Sequence, residues 1–205
     1  ACPWFSDPTV RPPRLPQPAD LPNGRLEENA RNLGLVLNRL KRRTQTKDAM
    51  LEMFRAIYAE ADDFDVIIEG GTVQIFVREG RFTIPALRLS DGALRYLCLL
   101  ALLFDPTPPP LLCIDEPELG LHPDLINHVA DALRSASERT QIIVTTHSTT
   151  LVDAFTDDPE AVLVCEKRDG CSSLRRLDAD HLKPWLETYR LGSLWTSGEI
   201  GGNRW

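Results

Sequence analysis

With 205 residues, 42% of them apolar and 26% charged, the chain has the make-up of an ordinary soluble globular protein, long enough for one domain with a core of its own. A formal net charge of −7 argues against a surface that is a nucleic-acid platform throughout, because phosphate binding requires a basic face. The longest apolar run, Tyr96 to Phe104, is about half the 18 or so residues of a membrane span.

Residues 1–24 hold seven prolines and little apolar periodicity, and are expected to be a Pro-rich connector. The opening "ACPWFSDP" carries no leader pattern. It begins with Ala rather than Met, which leads us to expect sequence upstream. From Leu26 to Arg43, Leu33, Val36, Leu37 and Leu40 recur at helical spacing. Arg39, Lys41, Arg42 and Arg43 cluster there, and read as a solvated helix end rather than a nucleic-acid patch. A second helix fits Lys47 to Glu60, with Met50, Leu51, Phe54 and Ile57 in one stripe. "FDVIIEGGTVQIFVREGRFTIPAL" then reads as a small β-meander turning at Gly70-Gly71 and Glu79-Gly80.

After the meander the pattern changes. A helix from Asp91 to Phe104 leads through "DPTPPP" to a strand at Leu111–Ile114. A helix at Pro123–Ser137 leads to a strand at Gln141–Thr145, and a third strand fits Ala161–Glu166. Helices alternating with short, nearly all-apolar strands predict a mostly parallel sheet covered on both faces. Of the cysteines, Cys98 and Cys113 lie in apolar runs and read as core thiols. Cys165 and Cys171 have no second pair to make a zinc site, and the cytoplasm is the expected compartment.

Chemistry concentrates at three turns. In "LLCIDEPELGLHP" (residues 111–123) an apolar strand ends in Asp115 and Glu116, at the edge where ligands of α/β sheets sit. An aspartate there suits hydrated magnesium, and a neighbouring glutamate can deprotonate a water for attack on phosphate. "TTHS", with His147, ends the next strand. "RLSDGALRYL" places Ser90 and Gly92 at the start of an apolar helix, where open amides and the helix dipole favour an anion. As an N-cap alone, Ser90 would not call for the glycine.

"LSDGALR", "LLCIDEPELGLHP" and "IIVTTHS", in that order, resemble the signature motif, the Walker B strand and the histidine switch of an ABC-type ATPase head. The closest resemblance is to the bacterial AAA-family ATPases related to RecF, the structural-maintenance-of-chromosomes heads and the overcoming-lysogenisation-defect proteins. "LPNGRLEENARNLGLVLNRLKR" and "RLGSLWTSGEIGGNRW" also look like that family. His122 stands where transporter heads more often have aspartate, and Asp91 where many relatives have glycine. The resemblance spans about residues 20–205. It implies a P-loop NTPase-like α/β fold, of which residues 25–205 are the C-terminal part: helices and β-meander at 25–86, the motif-bearing core at 87–167, and an extension at 168–205.

The resemblance further implies ATP and Mg2+ as cofactors, with Asp115 holding the metal through water, Glu116 polarising the attacking water and His147 touching the γ-phosphate. Leu89, Ser90, Asp91 and Gly92 would contact ATP held by a second subunit, in a head-to-tail homodimer. DNA repair, chromosome maintenance and phage defence are the family's roles, with DNA met through the complete assembly and no membrane partner.

One part is missing. A phosphate-binding loop needs Gly-x-x-x-x-Gly-Lys-Ser/Thr, and none of the four lysines, Lys41, Lys47, Lys167 and Lys183, follows a glycine. The chain is expected to be inactive alone and to need a Walker A half, from upstream or from another chain. The alternative is a non-hydrolysing dimerisation or regulatory module. A metal-dependent nuclease built on Glu166, Asp178 and Asp180 is disfavoured. Only eleven residues separate Glu166 from Asp178, too few for the crossover between parallel strands that site requires; surface carboxylates and a helix N-cap account for them better.

Overall fold

The computed structural model describes residues 13–168 and 170–202. They form two compact units, divided between Val144 and Thr145. In the first, α1 (Leu33–Leu40) and α2 (Thr44–Phe54) carry the expected apolar stripes, with Leu33, Val36, Leu37, Met50 and Phe54 fully buried. Both helices are shorter than the spacing predicted. Ahead of α1, Ala30 sits at φ 54°, a left-handed conformation that stops a helix. Buried Asn32 then ties the preceding loop together: its amide donates to the carbonyls of Pro22 (2.7 Å) and Arg25 (2.6 Å), and its oxygen accepts the Glu27 amide (2.9 Å). α2 stops when the Ile57 and Tyr58 amides both turn back to the carbonyl of Phe54.

The meander is an antiparallel sheet of β2 (Asp63–Glu69), β3 (Thr72–Glu79) and β4 (Phe82–Pro85), in register from Asp63 opposite Arg78 to Glu69 opposite Thr72. Gly70 and Gly71 make its first turn at φ 56° and 73°, where a side chain would be strained. Residues 1–12 of the expected connector lie outside the described residues. Within the rest, β1 (Gln17–Pro18) pairs with β3 at Val73 and Thr72. Phe64, Val66, Val73, Ile75 and Val77 point into the core. α1 lies so close on this face that a Cβ on Gly34 would come within 2.6 Å of Val73 Cγ1.

Two of the four residues of the expected basic cluster form ion pairs, Arg39 with Asp105 and Lys41 with Asp65. The Lys41 ammonium holds the Asp65 carboxyl below the usual carboxylate range.

At the centre of the first unit, α3 (Asp91–Leu103) buries nine of its thirteen residues, the mark of a helix covered nearly all round. It packs against α1, α2 and α4 (Ile126–Ser137). β5 (Leu111–Asp115) and β6 (Gln141–Thr145) form a two-stranded sheet. They set off side by side, the Gln141 amide donating to the Pro110 carbonyl at 3.2 Å, as strands joined by a helical crossover do.

This sheet departs from expectation in two ways. It has only two strands, and the other sheets among the described strands are antiparallel. Its residues alternate, with Leu112 buried but Leu111 44% and Ile143 49% exposed, so one face is open. Cys113, read as a core thiol, is exposed on that face, whereas Cys98 is buried.

The third expected strand belongs elsewhere. In the second unit β7 (Leu163–Arg168) pairs antiparallel with β8 (Cys171–Arg176), turning at Gly170. The unit also holds α5 (Thr149–Ala154), α6 (Ala179–Leu186) and α7 (Leu191–Ser197). Its core is Val152, Val164, Leu177, Leu182, Leu191, Leu194 and Ile200. No described helix is long and apolar enough to cross a membrane.

Candidate functional site

β5 is anchored by buried Leu112 and delivers Asp115, exposed, at its last position. Glu116 follows at φ 44°. A non-glycine residue there costs on the order of 1 kcal/mol or more, so the surroundings must hold the turn in place. Two successive turns do so, Leu119 donating to the Glu116 carbonyl and Leu121 to that of Glu118, both at 3.0 Å. His122, singled out for its position, accepts the Asp124 amide on Nδ1 at 3.4 Å and opens the short 3-10 turn Pro123–Leu125 that leads into α4.

A residue the sequence reading missed fastens this loop to α3. Arg95 Nη1 donates to the Leu119 carbonyl at 2.7 Å. Gly120, at φ 77°, rests on the guanidinium so closely that a Cβ would meet Nη1 at 2.8 Å. The signal was present in the sequence: Arg95 is the one basic residue in the apolar run "DGALRYLCLLALL".

Ser90 is the N-cap of α3, its Oγ accepting the Ala93 amide at 3.1 Å. Gly92 has a reason of its own in the fold, since a Cβ there would lie 3.1 Å from the Gly120 carbonyl. Close packing on the loop is thus a second reason for a glycine here, beside an anion at the helix start. Leu89 is 4% exposed and belongs to the core. Ser90 and Asp91 are exposed, and Asp91 is ion-paired with Arg14. The first unit thus brings Ser90, Asp91 and Gly92 onto the helix start that supports the Glu116 loop.

His147 belongs to the second unit and is exposed. Around it, Thr146 Oγ1 accepts the Ser148 amide at 3.0 Å, and Ser148 Oγ caps α5 by accepting the Leu151 amide at 3.2 Å. In the same unit Glu166 is half-buried, and its Oε1 accepts the Gly202 amide at 2.9 Å. It is therefore more than the surface carboxylate expected. Asp178 N-caps α6 by accepting the His181 amide at 3.1 Å. Among the described residues no three His, Cys, Asp or Glu side chains gather to hold a metal. Asp115, exposed at the end of β5, still fits magnesium, which keeps most of its waters.

Comparison with known proteins places this architecture. The family described as "AAA domain, putative AbiEii toxin, Type IV TA system" matches residues 6–153. The chain belongs to this AAA-domain family. Beyond the family match, the AAA-domain chain is 43% identical over 61 residues to the Old nuclease of Escherichia phage P2, a stretch covering 29% of the chain and 10% of the nuclease.

Among solved structures it is similar in fold to a structure from a study of ATP-driven dimerisation and DNA-stimulated activation of SMC ATPases. The TM-score is 0.51 at 18% identity, over 76% of this chain and 95% of that one. It is also similar to the SMC head domain of Pyrococcus furiosus with an extended coiled coil, bound to the C-terminal domain of ScpA. There the TM-score is 0.54 at 18% identity, over 76% of this chain and 39% of that one. The mixed α/β fold resembles that of SMC head domains, and membership of an AAA family implies nucleotide binding.

Proposed function

We propose that this AAA-domain chain supplies the catalytic carboxylate, the histidine switch and the signature face of an Mg-dependent ATPase related to the RecF, SMC and Old proteins. The observation that carries this reading is Glu116, held at φ 44° directly after Asp115 by a loop fastened to the helix that presents Ser90. Glu116 polarises the attacking water, and His147 contacts the γ-phosphate. Ser90, Asp91 and Gly92, with Leu89 behind them in the core, meet the γ-phosphate of ATP on a second subunit in a head-to-tail dimer. Arg14 beside Asp91 offsets the negative charge that would otherwise face that phosphate. Asp115 is the residue that would hold Mg2+ through water, an ion that when bound offsets the charge of the phosphates.

The phosphate loop comes from a Walker A half, in the same polypeptide or another. Two features favour this: no Gly-x-x-x-x-Gly-Lys occurs in the chain, and apolar Leu111 and Ile143 stand exposed on the open face of β5–β6. Sheets of this kind are ordinarily covered on both faces. DNA repair, chromosome maintenance or phage defence is the setting, with DNA engaged through the complete assembly in the cytoplasm.

The test is phosphate release from Mg-ATP by the 205-residue chain, alone and with a Walker A half restored, each beside Glu116→Gln. Activity is expected only with that half present, and Glu116→Gln is expected to lower it about 10²- to 10⁴-fold, the scale of a lost general base. No hydrolysis in the complete protein would instead favour the non-hydrolysing module. Full activity of Glu116→Gln would remove Glu116 from the chemistry.

A further inference from the structure

The match to the AAA-domain family ends at residue 153, and the segment beyond it shares a buried core with α5. α5 is six residues long, too short to be stable by itself, and it starts two residues after His147. Its far end is gripped by the start of α7. Asp153 Oδ1 accepts the Gly192 amide at 2.6 Å, and Thr156 Oγ1 accepts the Leu191 amide at 3.2 Å.

The two helices approach so closely at Gly192 that a Cβ would fall 2.5 Å from the Thr149 carbonyl oxygen and 2.7 Å from Asp153 Oδ1. The first of these is backbone and cannot swing away. Buried Leu191 and Leu194 pack in the same core as Val152 of α5.

The segment is in turn locked at its other end. α7 closes at Gly198, in the left-handed conformation. The chain then reaches Gly202, whose amide donates to Glu166 Oε1 at 2.9 Å and whose carbonyl accepts Trp195 Nε1 at 2.7 Å. Arg175 donates to the Ile200 carbonyl at 2.7 Å. A Cβ on Gly201 would come within 2.3 Å of Glu166 Oε1. Glu166 and Arg175 stand on β7 and β8, so the hairpin anchors the segment and the segment grips α5.

We infer that residues 190–202 are a latch that positions the turn carrying His147, with Asp153 and Gly192 as its positioning residues. Its purpose rests on the reading of His147 as the γ-phosphate contact, but its geometry does not. Hydrogen exchange on the full 205-residue chain tests it without nucleotide. Gly192→Ala, which forces α7 off α5, and Asp153→Ala, which removes the acceptor, are expected to speed exchange of the α5 amides about tenfold or more. Amides of the β7–β8 hairpin should keep parent rates. Asp153→Asn, which retains an oxygen acceptor, is expected to restore most of the protection.

Parent-like α5 exchange in Gly192→Ala would overturn the latch, and so would exchange rising equally across β7–β8, or Asp153→Asn matching Asp153→Ala. Hydrolysis by the complete protein then reports on purpose separately. A fall in kcat at unchanged KM in Gly192→Ala ties the latch to His147. A loosened α5 with parent kcat leaves the latch standing and shows that turnover does not depend on it.

Discussion

Arg39→Met removes a charge from a place where its partner cannot follow it into water. Arg39 forks onto Asp105, Nη2 to Oδ2 at 2.6 Å and Nη1 to Oδ1 at 3.2 Å, while its Nε holds the Asn23 carbonyl at 2.8 Å. The Asp105 side chain is 7% exposed and that of Arg39 26%. Methionine keeps the apolar stem and deletes the fork, leaving Asp105, among the described residues, the amide and hydroxyl of Thr107.

Breaking a fully buried pair from one side costs about 3–5 kcal/mol. With the Arg39 end partly wet, about 2–3 kcal/mol is expected. For a chain of this size that lowers Tm by about 4–12 °C.

The pH dependence gives a second readout. Burial works to raise the Asp105 pKa, but the Arg39 fork and the Thr107 bonds outweigh it, and the carboxyl lies below its ordinary value. A depressed carboxyl contributes stability above the unfolded value, about 3.9, and loses it as pH falls through the folded one. In Arg39→Met that depression is gone, so the deficit against the parent should be largest near neutrality and shrink toward about pH 4, as the stranded carboxylate takes up a proton. Thermal melts between pH 4 and 7 measure both effects. A parent-like Tm, or a deficit that does not change with pH, would refute the reasoning.

Two further outcomes follow from particular contacts. Gly120→Ala places a Cβ 2.8 Å from Arg95 Nη1 at φ 77° and is expected to lower stability by about 1–3 kcal/mol in urea melts, with the Leu119 and Leu121 amides losing exchange protection. Tyr96 is fully buried, and its hydroxyl has no hydrogen-bond partner among the described residues. Burial, aided by the charge of Asp131, pushes its pKa up to about 12. Tyr96→Phe is therefore expected to add about 1 kcal/mol at neutral pH and to flatten the loss of stability between about pH 10 and 12, both read from urea melts.

The parts of this fold that were legible in the sequence are those encoded by local period. The stripes of α1 and α2 stood out because buried residues recur every three or four positions. The meander stood out because Gly70, Gly71 and Gly80 punctuate alternating residues. β6 has the bounds expected of it, Gln141–Thr145. What escaped has no such signature. β8 is exposed at every residue and offers no buried alternation to read. The early stop before α1 depends on one left-handed alanine and one buried asparagine. β7 was found, but a strand's sequence does not name its partner, so a hairpin strand was placed in the parallel sheet.

The turns expected to carry chemistry show the same division more sharply. Asp115, Glu116, Ser90 and His147 could be picked out because residue type and spacing announce them. The residues that hold those turns have no period to announce them, although Arg95 stands out as the one basic residue of its apolar run. Arg95 reaches the Leu119 carbonyl across 24 positions, Arg14 reaches Asp91 across 77, and Asp153 reaches the Gly192 amide across 39. Each is a single side chain acting on backbone or charge brought near by folding, and no local period marks it. A strained or short segment persists only when its surroundings over-determine it. In this chain those surroundings are an arginine in an apolar helix and a glycine that nothing larger can replace. For the same reason, variants at Arg95 and Gly192 separate a turn's position from its chemistry, because they disturb the support while the Glu116 and His147 side chains stay chemically unchanged.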